Sequence, residues 1–369
     1  MTDEDHADPR GPAPASENPA PQRDPVEAER ERLRGLEPPD EPRARARWRP
    51  VLLRLAISLA LLTVLFWRLP DVTVADVVPE ITGATVAWLA VAVGLMLVAY
   101  VLQNVRWWSV SRTLGLTSPF VRMLSHLLAA EFVAKALPTS FGGDVVRVVR
   151  QGRDTGDYAD AFAATGLERL TGWLVLPLIS AVALATDPDL LGLGSASTVA
   201  VAINVVTVLA LVAILWTAGH ERGAGRLLGS SGWRRYLAAV HLGIVAFRHR
   251  PIRIGEVLGA GLAFQVIQCA AVWCTAQALG LEELSLLAVL AFFPPTAIAQ
   301  NVPFALSGLG VREAAFVLFF GAVGVGDADA IALGLVVYLV FVAASLAGAP
   351  SFAFGRRRDA RPDAGRAET

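Results

Sequence analysis

The sequence predicts an all-α integral membrane protein with about six transmembrane helices and two re-entrant helical hairpins in an inverted-repeat arrangement. Three observations predict this fold class. Of the 369 residues, 54% are hydrophobic and 18% are charged, and several apolar runs approach the ~20 residues that cross a bilayer. Basic residues are concentrated in alternate loops, as the positive-inside rule requires. Two other apolar runs end at a proline and are followed by glycines and an arginine.

The six spanning helices are predicted at residues 51–69, 84–107, 158–185, 197–218, 254–279 and 330–354. Loops that contain Asp and Glu but no Lys or Arg are assigned to the outside, and basic loops to the cytoplasm. This rule places both termini in the cytoplasm, and the protein is expected to reside in the plasma membrane. Arg106 and Arg112 are expected at the cytoplasmic end of the second helix, with Trp107 and Trp108 in the interfacial aromatic belt.

Three regions differ in composition. Residues 1–50 are rich in Pro, Glu, Asp and Arg and are predicted to be a disordered cytoplasmic tail, because they cannot bury a core. Residues 51–355 form the membrane domain, and residues 356–369 a second disordered cytoplasmic tail. The arginines at 43–49 are interpreted as a topology anchor, with specific recognition of anionic lipids as the alternative. Residues 233–247, in the basic loop, are predicted as an amphipathic helix on the inner membrane surface.

The two proline-ended runs share a pattern, P-x4-G-x2-V-R, at a separation of 165 residues. The aligned positions are Pro138 with Pro303, Gly143 with Gly308, Val146 with Val311, and Arg147 with Arg312. The first hairpin would open from the cytoplasm, because the face of Arg147, Arg150 and Arg153 is predicted to be cytoplasmic, and the second from outside. Paired interruptions in corresponding halves indicate a transporter-like binding site between them. The alternative is chance similarity between glycine- and proline-containing membrane helices.

Charged residues within the apolar segments are functional candidates, because a charge in the bilayer is costly. Glu168 and Arg169 are adjacent on one predicted helix and point in different directions, so each needs another partner. Glu168 is expected to pair with Arg147 or Arg312, and Arg169 with Asp144 or Glu131. An arginine just after each glycine break is suited to bidentate phosphate binding.

The residues predicted to bind substrate are therefore Lys135, Gly142, Gly143, Asp144, Arg147, Glu168, Arg169, Ser307, Gly308, Arg312 and Glu313. The alternative interpretation is a buried salt-bridge network that only holds two broken helices in place. The same arginines are able to serve both purposes.

An enzyme is not predicted. The sequence has no nucleophile elbow, Walker loop, dinucleotide fingerprint or metal motif, so no catalytic residue, cofactor or metal is assigned. Cys269 and Cys274 lie five positions apart in one apolar helix and are expected to be packed thiols. The basic residues lack interleaved aromatics, so no nucleic-acid partner is expected.

These motifs resemble the transmembrane, flippase-like domain of the lysylphosphatidylglycerol synthase family over about residues 50–355. The matching pieces are Leu137-Pro138, Gly142-Gly143-Asp144, Arg147, Glu168-Arg169, Pro303, Ser307-Gly308, Gly310 and Arg312-Glu313. In full-length members, the resemblance implies a lipid translocator joined to a cytosolic aminoacyl transferase. Because the chain continues only briefly past the predicted sixth helix, we expect the transferase, and hence lipid aminoacylation, to be missing.

The resemblance implies a stand-alone flippase-like protein that binds an anionic phospholipid or a polyprenyl-phosphate-linked lipid and moves it between leaflets. The alternative is a non-transporting scaffold or accessory subunit for a glycosyltransferase or a lipid-modifying enzyme. The expected partners are accordingly membrane lipids, with a separate enzyme of one of these two kinds as a further candidate.

Overall fold

The computed structural model describes residues 82–136, 142–219, 251–300 and 310–353, together with residue 244. These residues belong to one compact unit, and within them the regular structure is helical, with no strand. The all-α class predicted from the sequence is therefore confirmed. The predicted first span (51–69), the predicted surface helix (233–247) and both tails lie outside the described residues.

The described residues contain nine α-helices, numbered here in chain order. They are α1 (Gly83–Thr113), α2 (Phe120–Ala136), α3 (Gly142–Thr155), α4 (Tyr158–Thr186), α5 (Ser195–Gly219), α6 (Pro251–Ala278), α7 (Leu286–Gln300), α8 (Val311–Gly321) and α9 (Asp327–Ser345). Five of the helical segments are long and apolar enough to cross a membrane, namely α1, α4, α5, α6 and the segment Asp327–Ala353 that begins with α9. They correspond to the second to sixth predicted spans.

Helix α5 exposes apolar side chains and buries polar ones, which is the reverse of a surface helix in a water-soluble protein. Val206 and Leu209 are 64% and 63% exposed, whereas the polar Asn204 and Thr207 are buried. The Asn204 amide donates to Oγ of Ser180 on α4 at 2.8 Å. Apolar groups outside and hydrogen-bonded polar groups inside are the arrangement that a lipid environment favours. The protein is therefore a multi-pass membrane protein.

Helices α2 and α3 form an antiparallel hairpin. His126, near the start of α2, lies 2.8 Å from the Asp154 carboxylate in the last turn of α3. At the other end, a Cβ on Gly143 would come 2.8 Å from the backbone oxygen of Ala130, so only glycine permits this close approach. The two free ends of the hairpin thus lie side by side, as a re-entrant hairpin requires. Entry into the membrane from one side stays a prediction.

Helices α7 and α8 form a second antiparallel hairpin. The rings of Phe292 and Phe319 stack with centroids 5.5 Å apart, and Phe293 packs edge-on against Phe316 at 6.3 Å. Later residues of α7 therefore meet earlier residues of α8. All four rings are almost fully buried.

The second hairpin tolerates two prolines inside α7 because a neighbouring helix satisfies the backbone. Pro295 has no N–H to donate to the carbonyl of Ala291, four residues earlier. Oγ of Ser180 on α4 donates to that carbonyl at 2.6 Å. Replacement of a lost helical hydrogen bond by a side chain of another helix is what a membrane interior demands.

The helix succession itself repeats at the spacing of the sequence motif. Adding 165 to the bounds of α1, α2, α3 and α4 gives 248–278, 285–301, 307–320 and 323–351. The observed helices are Pro251–Ala278, Leu286–Gln300, Val311–Gly321 and Asp327–Ser345. Four consecutive helices therefore recur in register, and α1 packs against its counterpart α6 more extensively than any other described pair pack together. This recurrence supports the predicted repeat; its inverted orientation stays a prediction.

Candidate functional site

A cavity of about 260 Å³ lies within the helix bundle, and its lining joins both repeats. Its described walls come from α1, α2, α3, α4, α6, α7, α8 and α9. The ionisable side chains that line it are Arg106, Glu131, Lys135, Asp144, Arg147, Glu168, Arg169 and Arg312. Seven of the residues predicted to bind substrate are described in this wall, namely Lys135, Gly143, Asp144, Arg147, Glu168, Arg169 and Arg312.

We call the ionisable side chains that line the cavity the charged wall. Glu168 on α4 lies at its centre. One carboxylate oxygen, Oε1, accepts from the guanidinium of Arg106 on α1, with Nε at 2.7 Å and Nη2 closer still. The other, Oε2, accepts from Nη1 of Arg147 on α3 at 3.0 Å. All three side chains are buried. Because a single carboxylate ties two arginines of different helices, Glu168 fixes α1, α3 and α4 at this level.

Glu168 was expected from the sequence to pair with Arg147 or Arg312. The structure pairs Glu168 with Arg147 and not with Arg312, so the first of these alternatives is confirmed. The expected exposure of Arg106, Trp107 and Arg147 was wrong, whereas the side of the membrane on which they lie stays a prediction. Arg106 and Trp107 were expected at the interface, but they are 4% and 0% exposed. Arg147 was expected on a cytoplasmic face, but it is 2% exposed and its guanidinium carbon lies 4.4 Å from the centre of the Trp107 ring. Burial on Glu168 and Trp107 is more favourable than exposure for these cations.

Small residues make room for the guanidinium of Arg106. A Cβ on Gly172 of α4 would come 2.9 Å from Nη1 of Arg106, and one on Gly261 of α6 would come 3.3 Å from it. The Arg106 guanidinium also lies over the Phe264 ring, with its carbon 5.3 Å from the ring centre. The glycines and this ring together determine where the cation sits.

Asp144 and Arg169 form the second pair of the wall. Nε of Arg169 lies 2.5 Å from Oδ2 of Asp144, while Nη1 of Arg147 is 3.7 Å from Oδ1 of the same carboxylate. The predicted alternatives for Arg169 were Asp144 and Glu131, and Asp144 is the observed one. The pair links the first turn of α3 to α4 and is more accessible than the Glu168 cluster, since the Arg169 side chain is 34% exposed.

The second repeat holds its arginine differently. Arg312 donates to Oε1 of its neighbour Glu313 at 2.5 Å from Nη2, and Oε2 of Glu313 accepts the N–H of Gly310 at 2.6 Å. Both side chains are buried, and Arg312 lies over the Tyr338 ring of α9. At the offset of 165, the positions of Glu168 and Arg169 are occupied by Leu333 and Gly334. The second half thus lacks a carboxylate at the position equivalent to Glu168, and a glycine leaves room for Glu313 instead.

Lys135, in the last turn of α2, has no ion pair within 4 Å among the residues that the structure describes. Its Nζ lies 5.6 Å from the centre of the Phe341 ring of α9. Glu131, one turn earlier on α2, also lines the cavity and forms no such pair within the described ranges. These two opposite charges, one turn apart on α2, therefore interact mainly with each other and without a close ion pair.

The remaining predicted residues do not join the described wall. Gly142 begins α3 but does not line the cavity, and Gly143 lines it mainly by letting α3 approach α2. Ser307 and Gly308 lie outside the described residues. Glu313 contributes through Arg312. Cys269 and Cys274 are free and buried, as expected of packed thiols. Within the described ranges, no group of His, Cys, Asp and Glu side chains converges as a metal site requires.

Several cavity residues occupy equivalent positions in the two repeats. At the offset of 165, the lining contains Tyr100 with Gln265, Gln103 with Gln268, Lys135 with Gln300, Arg147 with Arg312, and Leu176 with Phe341. Equivalent residues from both halves facing one cavity place it between the repeats. In three of these pairs, the second half supplies glutamine where the first has tyrosine, glutamine or lysine.

Sequence reasoning did not find Arg106 or the glutamines of α1 and α6. Arg106 precedes two tryptophans and a further arginine, which is also the pattern of a membrane interface. The glutamines are uncharged, so they were not selected by the rule that a charge within an apolar helix is costly. They are Gln103, Gln265 and Gln268. The repeat offset, applied to α1 and α6, would have found the glutamines.

A family model described as the lysylphosphatidylglycerol synthase TM region matches residues 51–348. The match includes all nine helices and every residue of the charged wall. No curated protein and no solved structure matches the chain.

Proposed function

The chain belongs to the lysylphosphatidylglycerol synthase transmembrane-region family, and on that premise we propose that it moves an anionic lipid between the two leaflets of a membrane. The substrate class is an anionic phospholipid or a polyprenyl-phosphate-linked lipid. The proposed role involves binding and movement only, without covalent chemistry. We further propose that the protein resides in the plasma membrane with both termini in the cytoplasm.

One observation carries this proposal. Arg147 is 2% exposed, lines the cavity, and has two side-chain nitrogens, Nε and Nη2, without a hydrogen-bond partner among the described residues. A guanidinium carries five N–H donors in a fixed fork that matches a phosphate. Buried donors that lack a partner are costly, so a ligand that accepts from them gains affinity. An anionic headgroup in the cavity would supply that acceptor.

The size of the cavity favours a headgroup over a whole lipid. Its volume of about 260 Å³ is below the roughly 300–1,000 Å³ of pockets that enclose drug-sized ligands. The hydrocarbon tails would therefore stay in the surrounding lipid while the polar group crosses through the protein.

In the proposed mechanism, the phosphate binds to Arg147, Arg312 and Lys135. Glu168 holds Arg147 when the phosphate is absent and competes for it as the headgroup leaves. Asp144 would act on the same guanidinium from 3.7 Å, although its shorter contact is with Arg169. A carboxylate that replaces the ligand keeps the arginine from remaining buried without a counter-ion.

The proposal is tested by a leaflet-exchange assay in reconstituted vesicles that contain labelled anionic phospholipids or polyprenyl phosphates. We expect the wild-type protein to accelerate exchange of at least one anionic lipid, and the Arg147→Ala/Arg312→Ala variant to lose this acceleration. The matched control is Arg122→Ala, because Arg122 is a 57% exposed arginine whose nearest acid, Asp154, is 3.8 Å away.

Folding of each variant must be established by gel filtration and thermal melting, since removal of Arg312 leaves the buried Glu313 without its cation. A folded wild-type protein that exchanges none of the lipids would contradict the proposal. The scaffold alternative would then be tested by a search for a bound glycosyltransferase or lipid-modifying enzyme.

A further inference from the structure

A second set of polar side chains lines the cavity apart from the charged wall. Tyr100 and Gln103 lie one turn apart on α1, and Gln265 and Gln268 lie one turn apart on α6. Residues three apart share one face of a helix. The positions are also equivalent at the repeat offset of 165, so each repeat contributes the same two positions to the cavity wall. We call these four side chains the polar row.

The polar row contains groups whose hydrogen bonds are incomplete. Tyr100 is 2% exposed and Gln265 is 6% exposed. The Tyr100 hydroxyl and the Gln265 Oε1 have no hydrogen-bond partner among the described residues. Buried polar atoms in native structures are almost always paired, so two such atoms in one cavity wall indicate a ligand. The Gln265 Oε1 is an acceptor, and an ionised phosphodiester offers no donor, so the phosphate alone does not account for this atom.

The chemistry of the row favours a hydroxylated ligand. A glutamine amide offers two donors and a carbonyl acceptor, and a tyrosine hydroxyl donates and accepts. An alcohol also donates and accepts, so a group with several hydroxyls is able to satisfy both the donors and the acceptors of the amides. The side chain of Trp173, from α4, lines the same cavity and offers an aromatic surface to the C–H face of such a group.

The charges around the cavity argue against a cationic headgroup. Counting Glu313 with its partner Arg312, the described basic side chains at the cavity exceed the acidic ones by one, when all are ionised. Three of the four carboxylates already bind arginines, and the fourth is Glu131. The segments 137–141 and 301–309, which join the helices of the two hairpins, contain no ionisable residue in the sequence. The phosphate of a bound headgroup would neutralise this excess, so an amine would find one carboxylate without an arginine, Glu131, and no net attraction.

We infer that the substrate is a phosphodiester lipid whose headgroup ends in an uncharged, polyhydroxylated group such as glycerol or a cyclic polyol. The basic side chains hold the phosphate, and the polar row binds the hydroxyls. This inference rests on the proposed function and specifies its substrate, because both use the same cavity. It excludes simple phosphomonoesters and aminoacylated headgroups as preferred ligands.

The test measures affinity, so it does not depend on transport. The purified full-length protein is titrated with short-chain phosphatidylglycerol, phosphatidylinositol, phosphatidic acid and lysyl-phosphatidylglycerol. We expect phosphatidylglycerol or phosphatidylinositol to bind about tenfold more tightly than phosphatidic acid, as one or two well-made hydrogen bonds provide. The stronger of the two distinguishes an open-chain polyol from a ring.

Two variants separate the polar row from the charged wall. Gln103→Met/Gln268→Met keeps side-chain length and removes two of the three amides of the polar row, and it should reduce the preference while leaving phosphatidic acid binding unchanged. Lys135→Gln should weaken all the anionic lipids alike. The matched control is Gln277→Met on α6, because Gln277 does not line the cavity and makes one long contact of 3.5 Å with the Leu281 carbonyl.

Failure of the inference and failure of the proposed function give different results. If phosphatidic acid or lysyl-phosphatidylglycerol binds as tightly as phosphatidylglycerol and phosphatidylinositol, or if the Gln103→Met/Gln268→Met variant lowers all affinities equally, the inference is wrong and headgroup binding stands. If no anionic lipid binds to the folded protein, the proposed function and the inference both fail.

Discussion

Arg147 of α3 and Glu168 of α4 form an ion pair of 3.0 Å in a wall of the cavity, and Glu168 shares its other oxygen with Arg106. The carboxylate side chain is 1% exposed, and both arginines are also buried. Such a cluster is held together by mutual compensation, because any one charge left alone in a buried site is strongly unfavourable. The cluster is therefore a structural element, and in the proposed function its Arg147 also binds the phosphate.

Replacement of Glu168 by glutamine should destabilise the protein severely. Two buried guanidiniums would lose their common counter-ion, and loss of one partner of a buried ion pair costs about 3–5 kcal/mol. The measurement is the thermal unfolding midpoint in detergent. Asp154→Asn is the control, since Asp154 faces the largely exposed Arg122 and the half-buried His126 at the hairpin ends. A shift of the midpoint no larger than that of the control would contradict the assigned role of Glu168.

Replacement of Gly143 by alanine should disrupt the first hairpin. The new methyl group would meet the backbone oxygen of Ala130 at 2.8 Å, and a backbone atom cannot swing aside as a side chain does. Overpacking of this kind costs about 1–3 kcal/mol.

The control for Gly143→Ala is Gly166→Ala on α4, where the added Cβ has no atom within 4 Å. That substitution should be neutral or stabilising by about 0.5–1 kcal/mol, because alanine favours a helix interior. Equal unfolding midpoints for the two variants would show that α2 and α3 do not approach closely at Gly143.

Replacement of Lys135 by glutamine should weaken binding of anionic lipids without unfolding the protein. Lys135 has no ion pair among the described residues, and the equivalent position of the second repeat is already Gln300. Loss of one charge-assisted contact corresponds to about tenfold in affinity. Titration with a short-chain anionic phospholipid measures the change, with Arg122→Gln as a surface control. An affinity equal to that of wild type would remove Lys135 from the binding site.

The predicted topology places two exposed positions on opposite sides of the membrane. Glu282, between α6 and α7, should lie outside the cell, and Arg153, in the last turn of α3, should lie inside. A membrane-impermeant maleimide applied to intact cells should label Glu282→Cys but label Arg153→Cys only after the membrane is opened. The native Cys269 and Cys274 are buried and should give little background. The reverse labelling pattern would invert the assigned orientation.

Much of this architecture follows from local sequence patterns. The predicted span 158–185 is observed as Tyr158–Thr186, and the span 197–218 as Ser195–Gly219. These limits were predictable because apolar length is the dominant constraint on a membrane helix. The second-repeat hairpin also agrees, although α7 contains Pro294 and Pro295 and would have been divided by a rule applicable to soluble proteins.

The site was partly predictable for a similar reason. Charges within apolar helices, such as Glu168 and Arg169, are rare, so they were identified, and each was found with one of its expected partners. Arg106 was assigned to the interface because the residues next to it in the sequence are typical of one. Its burial in the protein could not be seen from those neighbours. Its depth depends on Glu168, which lies 62 positions away. Neutral amides such as Gln268 gave no signal, since their role emerges only when two helices meet.

The adjacency of Arg312 and Glu313 has a mechanical consequence. Their ion pair, and the N–H of Gly310 that completes it, belong to one short segment at the start of α8, so α8 carries its counter-ion when it moves. The hydrogen bonds of Glu168 instead span α1, α3 and α4, and displacement of α3 must break one of them. A displacement of α8 would therefore carry no net charge with it, whereas the same displacement of α3 would separate Arg147 from Glu168.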